Sequence, residues 1–473
     1  MPPLIDNPLL NIINTNKSIY RTLLIITLIF QTVLILLFAD KSITLILTIL
    51  LVSGLIVFSA FSVEKTYYIF AGYIAIAPNY IYLHYFPGIN IYYTLKFAFP
   101  LFALLLCYWL IYLCRSRENI KLGIQDQAFL IYFALVILSA LRGFLSGFSK
   151  AYIIWDLSPH IWYLCYFIFR FSPLKTNIKR FYDIILVFAF IASLEFIYAF
   201  SRTEGLIFFK RIVGKNIHLV QFALPYVGAT IIYGVSKKRK ILLALTIPFM
   251  LAGVLFSQQR SLWFTTFLSI FILAIIYIYV KRKWIKKNVG SVFKKTLLIV
   301  FIALIFFSLI STNTKTKFVL TTLSRLSVFL NPSLFKYDLS WRARTEEVNL
   351  ALKDTGNQWL FGKGYGASFV STDRFFNLLS PDNSYVYFIW KMGILGLLGF
   401  LLIYMVFFRR CYLILSKTKI PDEKIFILAA ILNTIGIAII SFSNSAFSQY
   451  EYQIIWVAVI AAIETIAIKY DKK

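Results

Sequence analysis

The sequence predicts an all-α polytopic membrane protein with about fourteen transmembrane helices and one long external loop that contains short helices. Hydrophobic residues make up 60% of the 473 residues and charged residues only 14%, whereas soluble domains are about half apolar and a quarter charged. Apolar stretches of roughly 17 to 25 residues, long enough to cross a bilayer, recur along the chain. One polar interruption, residues 311–384, is far longer than the other connections.

The apolar stretches give the predicted helices in order. They begin near Tyr20, Ile43, Tyr67, Tyr93, Ala128, Ala151, Phe181, His218, Ile241, Ser261, Thr296, Tyr385, Ile425 and Ile454. The third is interrupted by Pro78, and the sixth by Asp156 and Pro159. The chain therefore divides into membrane helices 1 to 11 (residues 1–310), an external loop (311–384) and membrane helices 12 to 14 (385–473).

Lysine and arginine in the short connections set the predicted orientation, because cytoplasmic loops of membrane proteins are enriched in both. The chain has 48 Lys and Arg against 20 Asp and Glu, a net charge of +28. Alternate connections are basic: residues 115–121, 170–180, 237–240, 281–287, 409–410 and 472–473. With both termini in the cytoplasm, these lie inside, and loops 201–217 and 311–384 lie outside. Since the basic charge belongs to cytoplasmic loops, we expect no nucleic-acid partner.

Cysteines and histidines indicate neither a disulfide framework nor a metal site. The cysteines lie in or beside apolar runs: Cys107, Cys114, Cys165 and Cys411. The histidines are scattered: His84, His160 and His218. Metal sites built on short motifs place Cys and His only a few residues apart. We therefore predict that the protein holds no metal.

The long loop contains a stretch typical of a helix. Residues 340–354 place Trp341, Val348 and Leu352 at near-heptad spacing, which favours one apolar helix face. Gly356 and the asparagine after it end the pattern. We therefore predict a short helix over residues 340–354 within the loop.

A glycine triplet follows the loop helix. Gly362, Gly364 and Gly366 alternate with Lys363 and Tyr365. A phosphate-binding glycine loop needs a strand before it and a helix after it, and neither is predicted here. We therefore interpret the triplet as a tight turn that needs positive φ and lies close against another backbone.

Cationic side chains on the predicted external side favour a phosphate or carboxylate ligand. They are Arg211 and Lys215 in the smaller loop, Arg260 at the start of a span, and Arg342 and Arg344 on the loop helix. Arg260 is the most informative, because apolar residues flank it and a charge in that setting needs a partner. Arginine pairs bidentately with phosphate, so a lipid-linked pyrophosphate at the outer interface would suit this set.

Asp382 is the candidate acid/base group of the loop. It lies where the loop enters a span, beside the arginines, and can act as a general base. Pro-Asp-Asn-Ser before an apolar helix is also a good N-cap, so both roles stay open. His218, at the external end of the eighth span, is either a second acid/base group or an interfacial histidine. Arg142 and Asp156, on consecutive spans, predict a structural ion pair.

Four motifs occur in order on the predicted external side. They are Gly214-Lys-Asn216, Gln258-Gln-Arg260-Ser261, the stretch from Trp341-Arg-Ala-Arg344 through the glycine turn, and Asp382-Asn383 followed after nine residues by Gly393-Ile-Leu-Gly396. Together they cover residues 211–408. In order and spacing they resemble the O-antigen ligase and O-antigen or exopolysaccharide polymerase family of bacterial membrane glycosyltransferases.

The resemblance implies transfer of a glycan from undecaprenyl pyrophosphate to a sugar hydroxyl, without nucleotide, metal or other cofactor, at the outer face of the bacterial cytoplasmic membrane. Arg211 and Arg260 would hold the pyrophosphate and stabilise it as leaving group, because preorganised cations favour a departing group that gains charge. Arg344 would position donor or acceptor. The substrate-binding residues would further include Arg342, Lys215, Asn383 and His218. The implied partners are the lipid-linked oligosaccharide, membrane lipid, a chain-length regulator and a flippase.

Asp382 stands where this family has a histidine. A carboxylate can also accept a hydroxyl proton, so the role of base is retained, and the change favours a polymerase over a ligase. A ligase that moves the glycan to a lipid or protein acceptor is the first alternative. A non-enzymatic flippase of lipid-linked oligosaccharide is the second. Its expected short loops and internal repeat do not fit residues 311–384 or the lack of a sequence repeat.

Overall fold

The computed structural model describes residues 122–171, 178–202, 216–257, 259–287, 339–370, 377–378, 380–443, 447 and 450–471. Outside these residues lie the predicted spans that begin near Tyr20, Ile43, Tyr67, Tyr93 and Thr296, together with Arg211, Lys215 and residues 311–338 of the predicted loop. The chain forms two compact units, Met1–Ile120 with Phe171–Ile184 and Lys121–Arg170 with Ile185–Lys473. In the first, the Phe181 and Tyr182 rings meet edge to face at 6.0 Å.

The described part of the chain is helical apart from one short strand pair. The helices are α1 (Ile124–Leu145), α2 (Lys150–Ile161), α3 (Cys165–Phe171), α4 (Ile178–Arg202), α5 (Leu219–Tyr233), α6 (Lys237–Phe256), α7 (Arg260–Lys287), α8 (Leu339–Thr355), α9 (Ser384–Lys417), α10 (Pro421–Ile440) and α11 (Tyr450–Asp471). Strands β1 (Phe369–Val370) and β2 (Asn377–Leu378) pair antiparallel between α8 and α9. The prediction of a helical fold is confirmed for these residues, with this small hairpin as the exception.

Six helices among the described residues are long and apolar enough to cross a membrane. They are Ile124–Leu145, Lys237–Phe256, Arg260–Arg282, Ser384–Lys417, Pro421–Ile440 and Tyr452–Asp471. The protein is thus consistent with a multi-pass membrane protein, and each of the six coincides with a predicted span. The number fourteen stays a prediction, because five of the predicted spans lie outside the described residues.

The sixth and eighth predicted spans differ from a regular helix. The sixth consists of α2, a 3₁₀ turn over Trp162–Leu164 and α3, and Pro159 lies just before the turn. Proline lacks the backbone donor that a continuous helix needs, so the predicted interruption is confirmed. The eighth is represented by α5, an apolar helix of 15 residues preceded by a 3₁₀ turn over Asn216–His218.

Three helices at the end of the chain, α9 to α11, alternate in direction. At one end, the amide of Ser384 donates to the carbonyl of Ser441 (2.9 Å), which joins the start of α9 to the end of α10. At the other end, Arg410 binds Glu464 through two hydrogen bonds of 2.7 and 2.9 Å and Asp471 at 2.6 Å. We call the end at which α9 begins the site face.

Candidate functional site

Helix α8 is the predicted loop helix, and it lies along the first turns of α9. Its inner face places Ala351 in a small apolar core with Val386 and Trp390 of α9, and Val348 and Leu352 pack against that core. The predicted helix bounds are confirmed to within one residue. This packing fixes α8 at the site face.

Trp341 does not take part in that core. Its side chain is 50% exposed, although its spacing places it on the same helix face as Val348 and Leu352. The physical reason is its position along the helix. Arg344, one helical turn later, already contacts Asp382, which lies before the start of α9. Trp341 therefore lies past the start of α9. Trp341, Arg342, Asn349 and Lys353 instead line a shallow groove on the outer face of α8.

Arg344 and Asp382 form an ion pair at the start of α9. The Arg344 Nε lies 3.2 Å from Asp382 Oδ2, and the two side chains are 29% and 31% exposed. The backbone amide of Asp382 donates to the carboxylate of Glu347 at 3.0 Å. Arg344 and Glu347, on consecutive turns of α8, therefore both bind Asp382 at the entry of α9. The Arg344–Asp382 pair stays accessible to a ligand from outside.

The N-cap of α9 is Asn383 and not Asp382. The Asn383 side-chain oxygen accepts hydrogen bonds from the amides of Tyr385 (3.0 Å) and Val386 (3.1 Å). These amides are in the first turn and have no partner within the helix. The interpretation of Asp382 as the cap is therefore wrong, whereas substrate binding by Asn383 stays a prediction. The Asp382 carboxylate turns to Arg344.

The glycine turn inserts its backbone beside α9 and α1. Gly362, Gly364 and Gly366 all have positive φ, at 69°, 96° and 88°. A Cβ atom on Gly362 would lie 2.5 Å from the Lys391 backbone, and one on Gly364 would lie 2.6 Å from the amide of Gly143. The prediction of a positive-φ turn close against another backbone is confirmed.

Helix α9 breaks where this turn meets it. Gly393 has φ 73° and ψ −174°, which is not helical. The amides of Ile394 and Leu395 would donate to residues 390 and 391 in a regular helix. They donate instead to the carbonyls of Trp359 (2.8 Å) and Leu360 (3.3 Å).

The break in α9 leaves two carbonyls without their helical donors, and the glycine turn donates hydrogen bonds to both. Trp390 accepts from the amide of Lys363 at 2.8 Å, and Lys391 accepts from the amide of Gly364 at 3.0 Å. The turn therefore replaces two hydrogen bonds of a spanning helix. The glycine of the Gly-Ile-Leu-Gly motif at position 393 is needed for this junction.

A buried ion pair lies beneath the turn. Lys391 Nζ is 2.6 Å from Asp156 Oδ2, and the two side chains are 0% and 2% exposed. Lys391 also donates to the carbonyl of Ala367 at 2.5 Å, and the amide of Gly366 donates to Asp156 at 2.7 Å. The predicted pairing of Asp156 with Arg142 is wrong. Asp156 lies inside the second unit, where Lys391 and the turn reach it.

His160 is at the centre of an adjoining group of tyrosines. Its Nδ1 lies 2.7 Å from the Tyr132 hydroxyl, and its Nε2 lies 2.8 Å from the Tyr365 hydroxyl. Tyr365 is on the turn, and burial raises the pKa of its phenol well above the ordinary value of 10.0, so the hydroxyl keeps its proton. It donates in turn to Met392 Sδ at 3.1 Å. These contacts hold the turn in place.

The sequence analysis assigned no role in this network to Lys391, His160 or Tyr365. A single Lys inside an apolar run was the available signal, because an ionisable group at that position needs a partner. Its partner could not be read from the sequence, since Asp156 lies 235 residues earlier.

Of the other predicted residues, Arg260 and His218 are among those that the structure describes, and both lie at or near the site face. Arg260 is the first residue of α7, as predicted. Short connections make α5, α6 and α7 alternate in direction, so α7 begins at the end where α5 begins. That end holds His218, which is 6% exposed and packs on Tyr452 of α11 at 4.7 Å between ring centroids. His218 is thus a buried side chain at this end of the helices, and its two expected roles, acid/base group or interfacial histidine, stay predictions.

No protein-family model matches the chain, and no curated protein matches it either. Its function is therefore inferred from the residues and their geometry.

The arrangement provides one cation and one carboxylate, held together at the mouth of the helices and accessible from the site face. Among the described residues, no group of three or more His, Cys, Asp and Glu is placed to hold a metal ion. Cys165 and Cys411 are buried thiols. The chemistry that Arg344 and Asp382 can perform is anion binding and proton transfer.

Proposed function

We propose that the protein is a polysaccharide polymerase that joins lipid-linked repeat units at the outer face of the cytoplasmic membrane. The observation that carries this proposal is the Arg344–Asp382 pair. The pair is partly exposed and joins a cation and a carboxylate that the sequence analysis selected, and α8 holds it at the entry of a spanning helix. A site at this level suits a substrate whose lipid lies in the bilayer and whose sugars lie outside it.

In the proposed reaction, a sugar hydroxyl of one repeat unit attacks the anomeric carbon of another. The new glycosidic bond forms as the bond between the anomeric carbon and the pyrophosphate oxygen breaks. The hydroxyl proton passes to the Asp382 carboxylate, and undecaprenyl pyrophosphate leaves with the bonding electrons. Proton removal by a positioned carboxylate contributes about 10²–10⁴-fold to a rate.

Arg344 orients the Asp382 carboxylate through the 3.2 Å contact and provides positive charge beside it. Arg260 and Arg211 are proposed to bind the pyrophosphate, because the departing group gains negative charge that preorganised cations stabilise. Arg342 and Lys215 would extend this cationic surface. The long segment therefore supplies the base, and neighbouring loops supply the binding site of the leaving group.

The test is polymerisation of purified lipid-linked repeat units by the purified protein in lipid nanodiscs, with the products separated as a ladder. Asp382→Asn should reduce ladder formation by about 10²-fold or more, the range for loss of a general base. The matched control is Asp422→Asn, which changes an exposed carboxylate in the first turn of α10 at the opposite end of the helices.

An Asp382→Asn protein with the wild-type rate would remove the proposed base. Asp382→His asks whether the residue typical of the resembling family performs the same step, and restored ladders would support proton transfer at this position. Transfer of a finished glycan to a lipid or protein acceptor, with no ladder from repeat units, would instead identify a ligase.

A further inference from the structure

Three consecutive large apolar residues are exposed on the long segment just before the glycine turn. Trp359 is 43% exposed, Leu360 54% and Phe361 46%. The helix that leads to them, α8, has a polar outer face. We call residues 359–361 the apolar tip. Exposed apolar side chains in an unbroken row mark a surface with a partner.

The apolar tip is held rigidly, so its exposure is a fixed property of the fold. The carbonyls of Trp359 and Leu360 accept the amides of Ile394 and Leu395 in α9. The amide of Gly362 donates to the carbonyl of Gln358 at 2.7 Å. Both ends of the tip are therefore tied, and the side chains cannot turn inward without breaking these bonds.

The position of the tip along α9 gives its depth. Arg409 is exposed on α9, and an exposed arginine marks the boundary of the hydrocarbon core at that end. The core is about 30 Å thick and is crossed by about 20 helical residues, which places the other boundary near Ile389. The tip bonds to Ile394 and Leu395, about five or six residues further in, or roughly 8 Å inside the core.

The polar groups nearest the tip support this position for the edge of the hydrocarbon core. Asp354 accepts from the indole nitrogen of Trp390 at 2.8 Å and lies 3.4 Å from Lys363 Nζ. These partly exposed charges are at the level of Trp390, within one residue of the calculated boundary. Below them the exposed surface of α9 is apolar, with Ile394 42% and Leu398 51% exposed.

We propose that the apolar tip is a re-entrant membrane contact, immersed in the acyl chains of the bilayer leaflet at the site face. Its surface is continuous with Ile394 and Leu398, which a spanning α9 exposes to lipid. The backbone at this depth is satisfied by α9, which is the condition for irregular structure within a membrane. The aromatic side chains suit the boundary region, where Trp is enriched.

The experiment introduces Leu360→Cys into a chain whose native cysteines are replaced by serine, and attaches an environment-sensitive nitrobenzoxadiazole label. The protein is placed in phosphatidylcholine nanodiscs with brominated or ordinary acyl chains. Leu398→Cys is the lipid-facing reference, and Asn349→Cys, on the polar face of α8, is the aqueous reference. Phe361→Cys is a second tip position, for use if Leu360→Cys does not elute as a monodisperse protein.

We expect brominated lipid to quench the tip label to the same extent as the Leu398 label, and soluble iodide to quench only the Asn349 label. Iodide quenching of the tip equal to that at Asn349, with no effect of brominated lipid, would overturn the proposal. Loss of iodide access only after addition of a polyprenyl phosphate would also overturn it, and would assign the tip to the substrate lipid. No glycan is present, so the result does not depend on the proposed polymerase activity.

Discussion

Two ion pairs lie where residues 311–384 meet the membrane helices, and they differ mainly in burial. Lys391 and Asp156 lie 2.6 Å apart and are fully buried, and they also bind the backbone of the turn. Arg344 and Asp382 lie 3.2 Å apart, and nearly a third of each side chain is exposed. Similar charges are therefore enclosed by protein in one place and partly exposed in the other, where we propose that the substrate binds.

Burial decides this difference through desolvation. A buried pair persists only when both charges and their remaining hydrogen-bonding groups are satisfied, and removal of one partner leaves a charge without compensation. A pair near the surface contributes at most about 1 kcal/mol, so its loss leaves the fold intact. The first pair should respond to mutation in stability, and the second in activity.

The largest effect is expected at Lys391. Lys391→Met leaves the Asp156 carboxylate buried without its cation, and should lower the free energy of unfolding by about 3–5 kcal/mol. The free energy of unfolding is measured by titrating the purified protein with SDS while circular dichroism monitors its helix content. Lys353→Met, an exposed lysine on the outer face of α8, is the matched control. The double variant Asp156→Asn with Lys391→Met should recover part of the loss, and unchanged stability of Lys391→Met would contradict the structural role.

The second effect concerns the break in α9. A Cβ atom at Gly393 would collide with the carbonyl of Leu360, whereas at Gly147, which has a similar φ of 75°, it would meet nothing within 4 Å. Gly147→Ala should cost about 1–2 kcal/mol for the left-handed backbone alone. Gly393→Ala should cost roughly 1–3 kcal/mol more, the range for overpacking. Equal midpoints in the same SDS titration would show that the turn does not press against α9.

The third effect, at Asn383, distinguishes the N-cap residue of α9 from its neighbour Asp382. Asn383→Ala removes the side chain that caps the first turn, and should lower stability by about 1 kcal/mol. Asn383→Asp retains a capping oxygen but loses the side-chain donor to the Phe442 carbonyl (3.1 Å), so it should be destabilised less than Asn383→Ala. Thermal unfolding in detergent compares the two. A protein destabilised equally by both substitutions would indicate that the cap bonds to Tyr385 and Val386 are not the source of the effect.

The smallest effect on stability is expected at Arg344. Arg344→Gln should change the free energy of unfolding by less than about 1 kcal/mol, because the pair is partly solvated. Ladder formation should nevertheless fall, since the carboxylate loses its orienting cation. Arg409→Gln, an exposed arginine near the other end of α9, is the control for charge. Loss of stability and activity in proportion would show that this pair is structural too.

Local patterns predicted the parts of the site that depend on neighbouring residues. The bounds of α8, the positive φ of the glycine triplet and the start of α7 at Arg260 all follow from periodicity, glycine spacing and charge placement. The exposure of Trp341 could not be predicted, because it depends on where α9 begins beside α8.

The buried network could not be assembled from sequence for a different reason. Arg142 is near Asp156 in the chain, and proximity made it the expected partner. Lys391 pairs with Asp156 because α2, α9 and the glycine turn meet at this point, an arrangement made by contacts across 235 residues. The interruption of the sixth span was predicted from Pro159. The role of His160, the residue after that proline, could not be predicted, because its partner Tyr365 lies on the distant glycine turn.

The break in α9 also bears on how the protein is made. Residues 359–364 leave the ribosome before α9 does, and they carry the groups that complete the α9 backbone at Gly393. A helix broken at Gly393 without them would leave unpaired amides and carbonyls in hydrocarbon, each costing several kcal/mol. We therefore expect α9 to insert with its regular hydrogen bonds and to break at Gly393 only when the preceding segment docks, which makes the order of synthesis part of the folding route.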